Sequence, residues 1–168
     1  MQVVILCGGR GTRLNGERPK PLMEIAGRPI LWHVVSIYAT QGFSEFLLLT
    51  GYRGEEIAAW PDWPVPVECV DTGVDTPTGG RVHRVRDRLT GPFCLTYADG
   101  VADIDLRALV AHHRGSGALA TMTVVQPELP YGVAVVQDGR VTGFREKPVA
   151  DQWVNGCLLY TSPSPRDS

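Results

Sequence analysis

The run L-C-G-G-R-G-T-R-L, residues 6 to 14, sets three glycines and two arginines directly behind the apolar stretch Val3-Val4-Ile5. A glycine-rich turn after a strand exposes backbone N–H groups, and such a concavity binds anions. Arg13 adds a planar fork of donors suited to terminal phosphate oxygens. Lys20, held between Pro19 and Pro21, adds a point charge. Two familiar phosphate loops fail on spacing. G-x-G-x-x-G begun at Gly9 and Gly11 puts its third glycine on Leu14, and G-x-x-x-x-G-K-[ST] run from Gly11 to Gly16 meets Glu17-Arg18. What remains is a nest and two placed cations for a chain of phosphates.

The acidic residues sort by position. Asp99 closes the strand-like run F-C-L-T-Y-A-D, at the carboxyl edge where open α/β sheets collect their ligands. A carboxylate there suits Mg²⁺, which takes few protein ligands and fills the rest with phosphates and water. Asp103-Ile-Asp105 spells D-x-D, a metal pattern of many glycosyltransferases, but the pair opens a helical stretch and Asp103 is expected to cap it. Thr78-Gly79-Gly80 ends a loop at a helix start, where unshielded backbone can approach a ligand edge. None of the four histidines stands in a motif, and His112 and His113, as neighbours, cannot share a helix face.

These residues need a scaffold. Residues 2–6 are apolar without alternation, as in a strand covered on both faces. Further strands are expected at 45–51, 65–70, 93–97 and 118–126. Helices are expected after Pro29, at 53–60, through Val82, Val85 and Leu89, and through Leu106, Leu109, Val110 and His113. Asp138-Gly139 between GVAVVQ and RVTGF marks a hairpin. Alternating strands and helices give an α/β class, a Rossmann-like three-layer α/β/α sandwich with a mostly parallel sheet. One domain over 1–156 is expected, incomplete at its C-terminus. Residues 157–168, ending in a Ser/Pro-rich run, are expected as a non-native or disordered tail.

The bulk composition limits the partners. With 168 residues, 43% hydrophobic and 20% charged, and a net charge of -2, the chain has no general polyanion-binding face, so nucleic acid is excluded as a partner. No stretch approaches the ~20 apolar residues of a membrane span, and a cytoplasmic location is expected. Cys7, Cys69, Cys94 and Cys157 lack C-x-x-C spacing and are expected as small buried hydrophobes.

Taken together, V-I-L-C-G-G-R-G-T-R-L, R-P-K-P-L-M-E-I-A-G-R-P-I-L-W-H, V-D-T-G-V-D-T-P-T-G-G-R, T-Y-A-D-G-V-A-D-I-D, Y-G-V-A-V-V and F-R-E-K-P resemble the sugar-phosphate nucleotidyltransferases, and within them the glucose-1-phosphate cytidylyltransferase branch. The resemblance implies transfer of a nucleotidyl group from a nucleoside triphosphate, CTP in this branch, to a sugar 1-phosphate, glucose 1-phosphate in this branch, with release of pyrophosphate; the alternatives are the same chemistry with dTTP or GTP, or a non-catalytic nucleotide-sugar-binding module. It implies Mg²⁺ on Asp99 and a triphosphate over Leu6, Gly8, Gly9, Gly11 and Thr12. Arg13 falls at the β- and γ-phosphates, Lys20 at the α-phosphate, and Thr78, Gly79 and Gly80 at the base. Tyr131, Gly132, Glu146, Lys147 and Asn155 fall at the sugar phosphate. A homo-oligomer is implied for the full-length form. This chain is shorter than that branch between Leu14 and Lys20 and between Gly54 and Asp71. The family continues beyond Gly156 with a second metal-binding aspartate. With one carboxylate, this chain is expected to bind nucleotide weakly and to turn over poorly or not at all.

Overall fold

β1 (Gln2–Leu6) carries Val3, Val4 and Ile5 fully buried because both of its faces are covered. The computed structural model describes residues 1–11 and 18–161. After β1 come a small antiparallel pair, β2 (Glu24–Ile25) and β3 (Arg28–Pro29), and then α1 (Ile30–Thr40), which opens after Pro29 and ends before Gly42 at φ +92°. Next follow β4 (Glu45–Thr50), α2 (Gly54–Ala58), β5 (Glu68–Asp71), α3 (Thr78–Arg84), β6 (Phe93–Tyr97) and α4 (Leu106–Ser116). The chain closes with β7 (Ala120–Val125), β8 (Val133–Gln137), β9 (Arg140–Arg145) and β10 (Val154–Thr161).

The chain divides into two compact units: Met1–Thr121 with the described part of Leu158–Ser168, and Met122–Cys157. In the first, the sheet order is β5-β4-β1-β6-β10, with β5, β4, β1 and β6 parallel and β10 antiparallel to β6. Residues along the central strands alternate between two cores. Val3, Ile5, Phe46 and Leu48 pack with Leu31, Val34, Val35 and Tyr38 of α1 and Leu106 and Val110 of α4. Val4, Leu47, Leu49 and Leu95 pack on the other side with Val85 and, at its margin, Val82 and Leu89. Helices therefore cover both faces, which is the expected α/β/α layering. In the second unit, β8 and β9 form the expected hairpin. Asp138 and Gly139 lie at φ +50° and +74°, the left-handed pair that a tight two-residue turn requires. Val136, Val141 and Phe144 on this hairpin are exposed.

Three expectations are corrected. Cys157 to Thr161 are strand rather than tail: β10 pairs with β6, and Tyr160 is fully buried with its ring 4.2 Å from that of His113. The remainder of the expected tail, 162–168, lies outside the described residues. α4 is capped by Asp105 rather than Asp103, because the Asp105 carboxylate accepts the Ala108 N–H at 2.9 Å, satisfying a first-turn donor. α3 stops at Arg84 and gives way to a 3₁₀ turn at Arg86–Arg88, so Leu89 reaches the core from a turn rather than from a helix. Cys7 and Cys94 are buried, and Cys69 and Cys157 half-buried.

Candidate functional site

The first unit's strand order contains one reversal. From β1 the chain adds β4 and then β5 on one side, and later β6 on the other. The loops leaving β1 and β6 therefore diverge at their carboxyl ends, and open α/β sheets bind ligands in the crevice this creates. A cleft of about 440 Å³ lies there, lined by Leu6 to Gly11, Lys20, Pro21, Val74 to Thr78, Arg81 and Tyr97 to Asp99.

One lip is the glycine turn. Cys7 continues β1 by donating its N–H to Leu49 O at 2.9 Å, and Gly8 O accepts the Tyr52 N–H at 3.2 Å. Gly9 faces open space, since a Cβ there would meet nothing within 4 Å, and Gly11 takes φ +59°, a conformation that favours glycine. Lys20 opens a 3₁₀ turn, Lys20–Leu22, anchored by the buried Pro21 and Leu22. Its ammonium donates to Asp99 Oδ2 at the end of β6, with 44% and 36% of the two side chains exposed. The two charged groups singled out for phosphate and metal thus meet at the cleft. Thr12 and Arg13 lie outside the described residues.

The other lip is the loop before α3. Of the three residues expected at the base, Thr78 lines the cleft. Gly79 and Gly80 are the next residues of α3, and Gly80 packs towards Thr76 and Pro77 beside a separate depression. Arg10 reaches across from the glycine turn to Asp75, Nη2 to Oδ1 at 2.8 Å, and lies 5.8 Å from the Tyr52 ring. The Asp75 hydrogen bond and charge raise the Arg10 pKa.

Beneath both lips lies Arg81, 5% exposed, which the sequence reading passed over. Its Nη1 donates to Thr50 O at 2.8 Å and Thr72 Oγ1 at 2.7 Å, and its Nη2 to Gly8 O at 2.8 Å and Val74 O at 3.2 Å. Burial lowers its pKa, an effect opposed by the charge of Asp71. A signal for it existed: Thr78, Arg81, Val82 and Val85 follow i, i+3, i+4, i+7 spacing, which sets an arginine on a core-facing stripe. Cys7, under the turn, is no nucleophile, because burial holds its thiol well above the ordinary range.

The expected sugar-phosphate residues belong to the second unit. Tyr131-Gly132 and Glu146-Lys147 flank the Val133–Arg145 pair, so the hairpin's open end brings these four together. The Phe144 ring lies over Gly132, where a Cβ would fall 2.2 Å from it, and Lys147 sits at φ +42°. Asn155, on β10, accepts the Cys157 N–H at 2.8 Å.

Among the described residues no group of three His, Cys, Asp or Glu side chains could hold a metal. Of the two carboxylates that line the cleft, Asp75 is held by Arg10, and Asp99 at the end of β6 fits Mg²⁺, which draws most of its ligands from phosphate and water. Among the described residues no helix is long and apolar enough to cross a membrane.

The MobA-like NTP transferase domain family matches residues 3–141. A probable glucose-1-phosphate cytidylyltransferase of Bacillus subtilis is 37% identical over 97% of this chain and 75% of its own length. A probable mannose-1-phosphate guanylyltransferase of Arabidopsis thaliana is 29% identical over 99% of this chain and 52% of its own. Among solved structures, HddC from Yersinia pseudotuberculosis with GMP-PN superposes with a TM-score of 0.72 at 21% identity, covering 96% of this chain and 76% of that one; this likeness is one of fold. A glycine turn and a strand-end aspartate facing each other at the sheet's reversal, with these matches, lead to one conclusion: the chain belongs to the MobA-like NTP transferase family, among its sugar-phosphate nucleotidyltransferases.

Proposed function

We propose that the chain transfers a cytidylyl group from CTP to glucose 1-phosphate, forming CDP-glucose and pyrophosphate. The observation that carries this reading is the meeting of Lys20 with Asp99 beside the open Gly8–Gly11 turn. The 37% identity to a cytidylyltransferase supports the choice of base and sugar.

A phosphate oxygen of the sugar phosphate attacks the α-phosphorus. The new P–O bond forms as the bond from the α-phosphorus to the bridging oxygen breaks, and pyrophosphate leaves. That nucleophile is ionised at neutral pH, so no side chain need remove a proton. The reaction needs in-line positioning and neutralised charge. The Gly8–Gly11 backbone cradles the phosphate chain. Lys20 moves from Asp99 to the α-phosphate, where it offsets the charge that builds between attacking and leaving oxygens. Asp99 would hold Mg²⁺, which when bound neutralises phosphate charge. Thr12 and Arg13 take the outer phosphates, Thr78 the base side, and Tyr131, Gly132, Glu146, Lys147 and Asn155 the sugar phosphate. The enzyme works in the cytoplasm as a homo-oligomer.

The test is pyrophosphate release with Mg²⁺ from each of CTP, UTP, dTTP and GTP, paired with glucose or mannose 1-phosphate. CTP with glucose 1-phosphate is expected to lead. A lead by GTP with mannose 1-phosphate would move the assignment to the guanylyltransferases, and no release from any pair would overturn the catalytic reading.

A further inference from the structure

Arg81 is a buried cation whose hydrogen bonds run to neutral oxygens: three backbone carbonyls and the Thr72 hydroxyl. The carbonyls come from three separate segments. Thr50 ends β4, Gly8 belongs to the glycine turn, and Val74 belongs to the loop that leads to Thr78. One nitrogen, Nη2, bonds both Gly8 O and Val74 O, and so ties one lip of the cleft directly to the other.

The backbone makes room for this. A Cβ on Gly8 would fall 1.9 Å from Arg81 Nη1, and one on Gly51 would fall 2.6 Å from the same atom. Glycine at position 8 thus leaves room for the guanidinium behind it, whereas Gly9 faces open space. The two lips are otherwise bridged by the exposed Arg10–Asp75 pair, whose side chains are 53% and 86% exposed and which water screens. Gly8 also keeps a second anchor, the Tyr52 N–H. Loss of Arg81 would therefore free the Val74 lip more than the turn.

We propose that Arg81 is a positioning residue that sets the distance between the phosphate-binding turn and the loop that reads the base. This rests on the nucleotide reading of the cleft. An arginine is needed because a planar fork can serve four acceptors at fixed angles, which a lysine ammonium cannot.

The experiment compares the affinities of the wild-type chain, Arg81→Lys and Thr72→Val for CTP and for inorganic tripolyphosphate in Mg²⁺, with a thermal melt of each. Tripolyphosphate needs the turn alone, whereas CTP needs both lips. Arg81→Lys is expected to melt cooperatively, to weaken CTP about tenfold or more, the worth of a lost hydrogen bond to a charged group, and to change tripolyphosphate little. Thr72→Val keeps the charge and removes one acceptor, so it is expected to act in the same direction by a smaller factor; it decides the matter if Arg81→Lys does not fold. Equal weakening of both ligands, or unchanged CTP affinity in either folded variant, would overturn the positioning role. A wild-type chain, measured also with UTP, dTTP and GTP, that binds none of the four nucleotides more tightly than tripolyphosphate would overturn the nucleotide reading itself.

Discussion

Removing Lys20 separates a structural ion pair from a catalytic one. The Lys20–Asp99 pair is half-exposed, and exposed pairs contribute at most about 1 kcal/mol. In a chain of this size Lys20→Met should then shift the melting midpoint by no more than about 4 °C without ligand. The ligand-bound state is different. CTP at ~100 times its dissociation constant stabilises the wild-type chain by about 2.7 kcal/mol. A hydrogen bond from a charged group to phosphate is worth roughly 1.5–3 kcal/mol, so its loss weakens binding by a factor of about 12 to about 160. At the same CTP concentration the increment should fall to between about 0.3 and about 1.3 kcal/mol. Thermal melts of both proteins, with and without CTP and Mg²⁺, give all four values. Asp99→Asn should behave alike when Mg²⁺ is present. A Lys20→Met protein that is several kcal/mol less stable on its own, yet keeps the full CTP increment, would refute the reasoning and make the pair a structural tie.

Other outcomes follow from the packing. Tyr160→Ala should cost about 3–5 kcal/mol, because a fully buried ring is removed from against His113. Tyr160→Phe should stay within about 1 kcal/mol of wild type, since the hydroxyl has no partner among the described residues; chemical denaturation distinguishes the two. Burial pushes the Cys94 thiol up to about 12, so the folded state favours the neutral form. The resulting stability is complete below the unfolded thiol's pKa near 8.5 and drains away as pH rises from there towards 12, by up to about 1.4 kcal/mol per pH unit. Cys94→Ala should flatten that decline in melts taken between pH 8 and pH 10. Asp105→Ala should cost about 1 kcal/mol through loss of the α4 cap, while Asp103→Ala should be near neutral.

The parts of the fold that repeat a period were legible in the residues. The unbroken apolar runs of β1 and β4 named buried parallel strands, and Pro29 and Gly42 bracketed α1. The place of the cleft was legible at the strand ends, since the glycine turn behind β1 and Asp99 behind β6 both line it, with Lys20 beside them. Long-range partnership was not legible. Arg81 joins segments some seventy residues apart, and no local pattern tells a cation that binds a ligand from one that binds carbonyls. The β10 strand was missed because L-L-Y is too short to stand out against the Ser-Pro run behind it, and what makes it a strand is the open flank of β6. Between Asp103 and Asp105 the choice turned on where the helix's first N–H groups point, a matter of less than one turn.

The antiparallel return of β10 also bears on synthesis. The four parallel strands that carry the cleft are complete once Tyr97 has left the ribosome, but β6 has its second neighbour only when Leu158–Thr161 emerges. At the usual ~5–20 residues per second, that leaves β6 with one bare edge for roughly 3–13 s. A naked, apolar strand edge is a template for pairing with other chains. The intervening 122–157 unit is therefore a delay as well as a structure. Lengthening it extends the interval in which the half-built sheet can find the wrong partner.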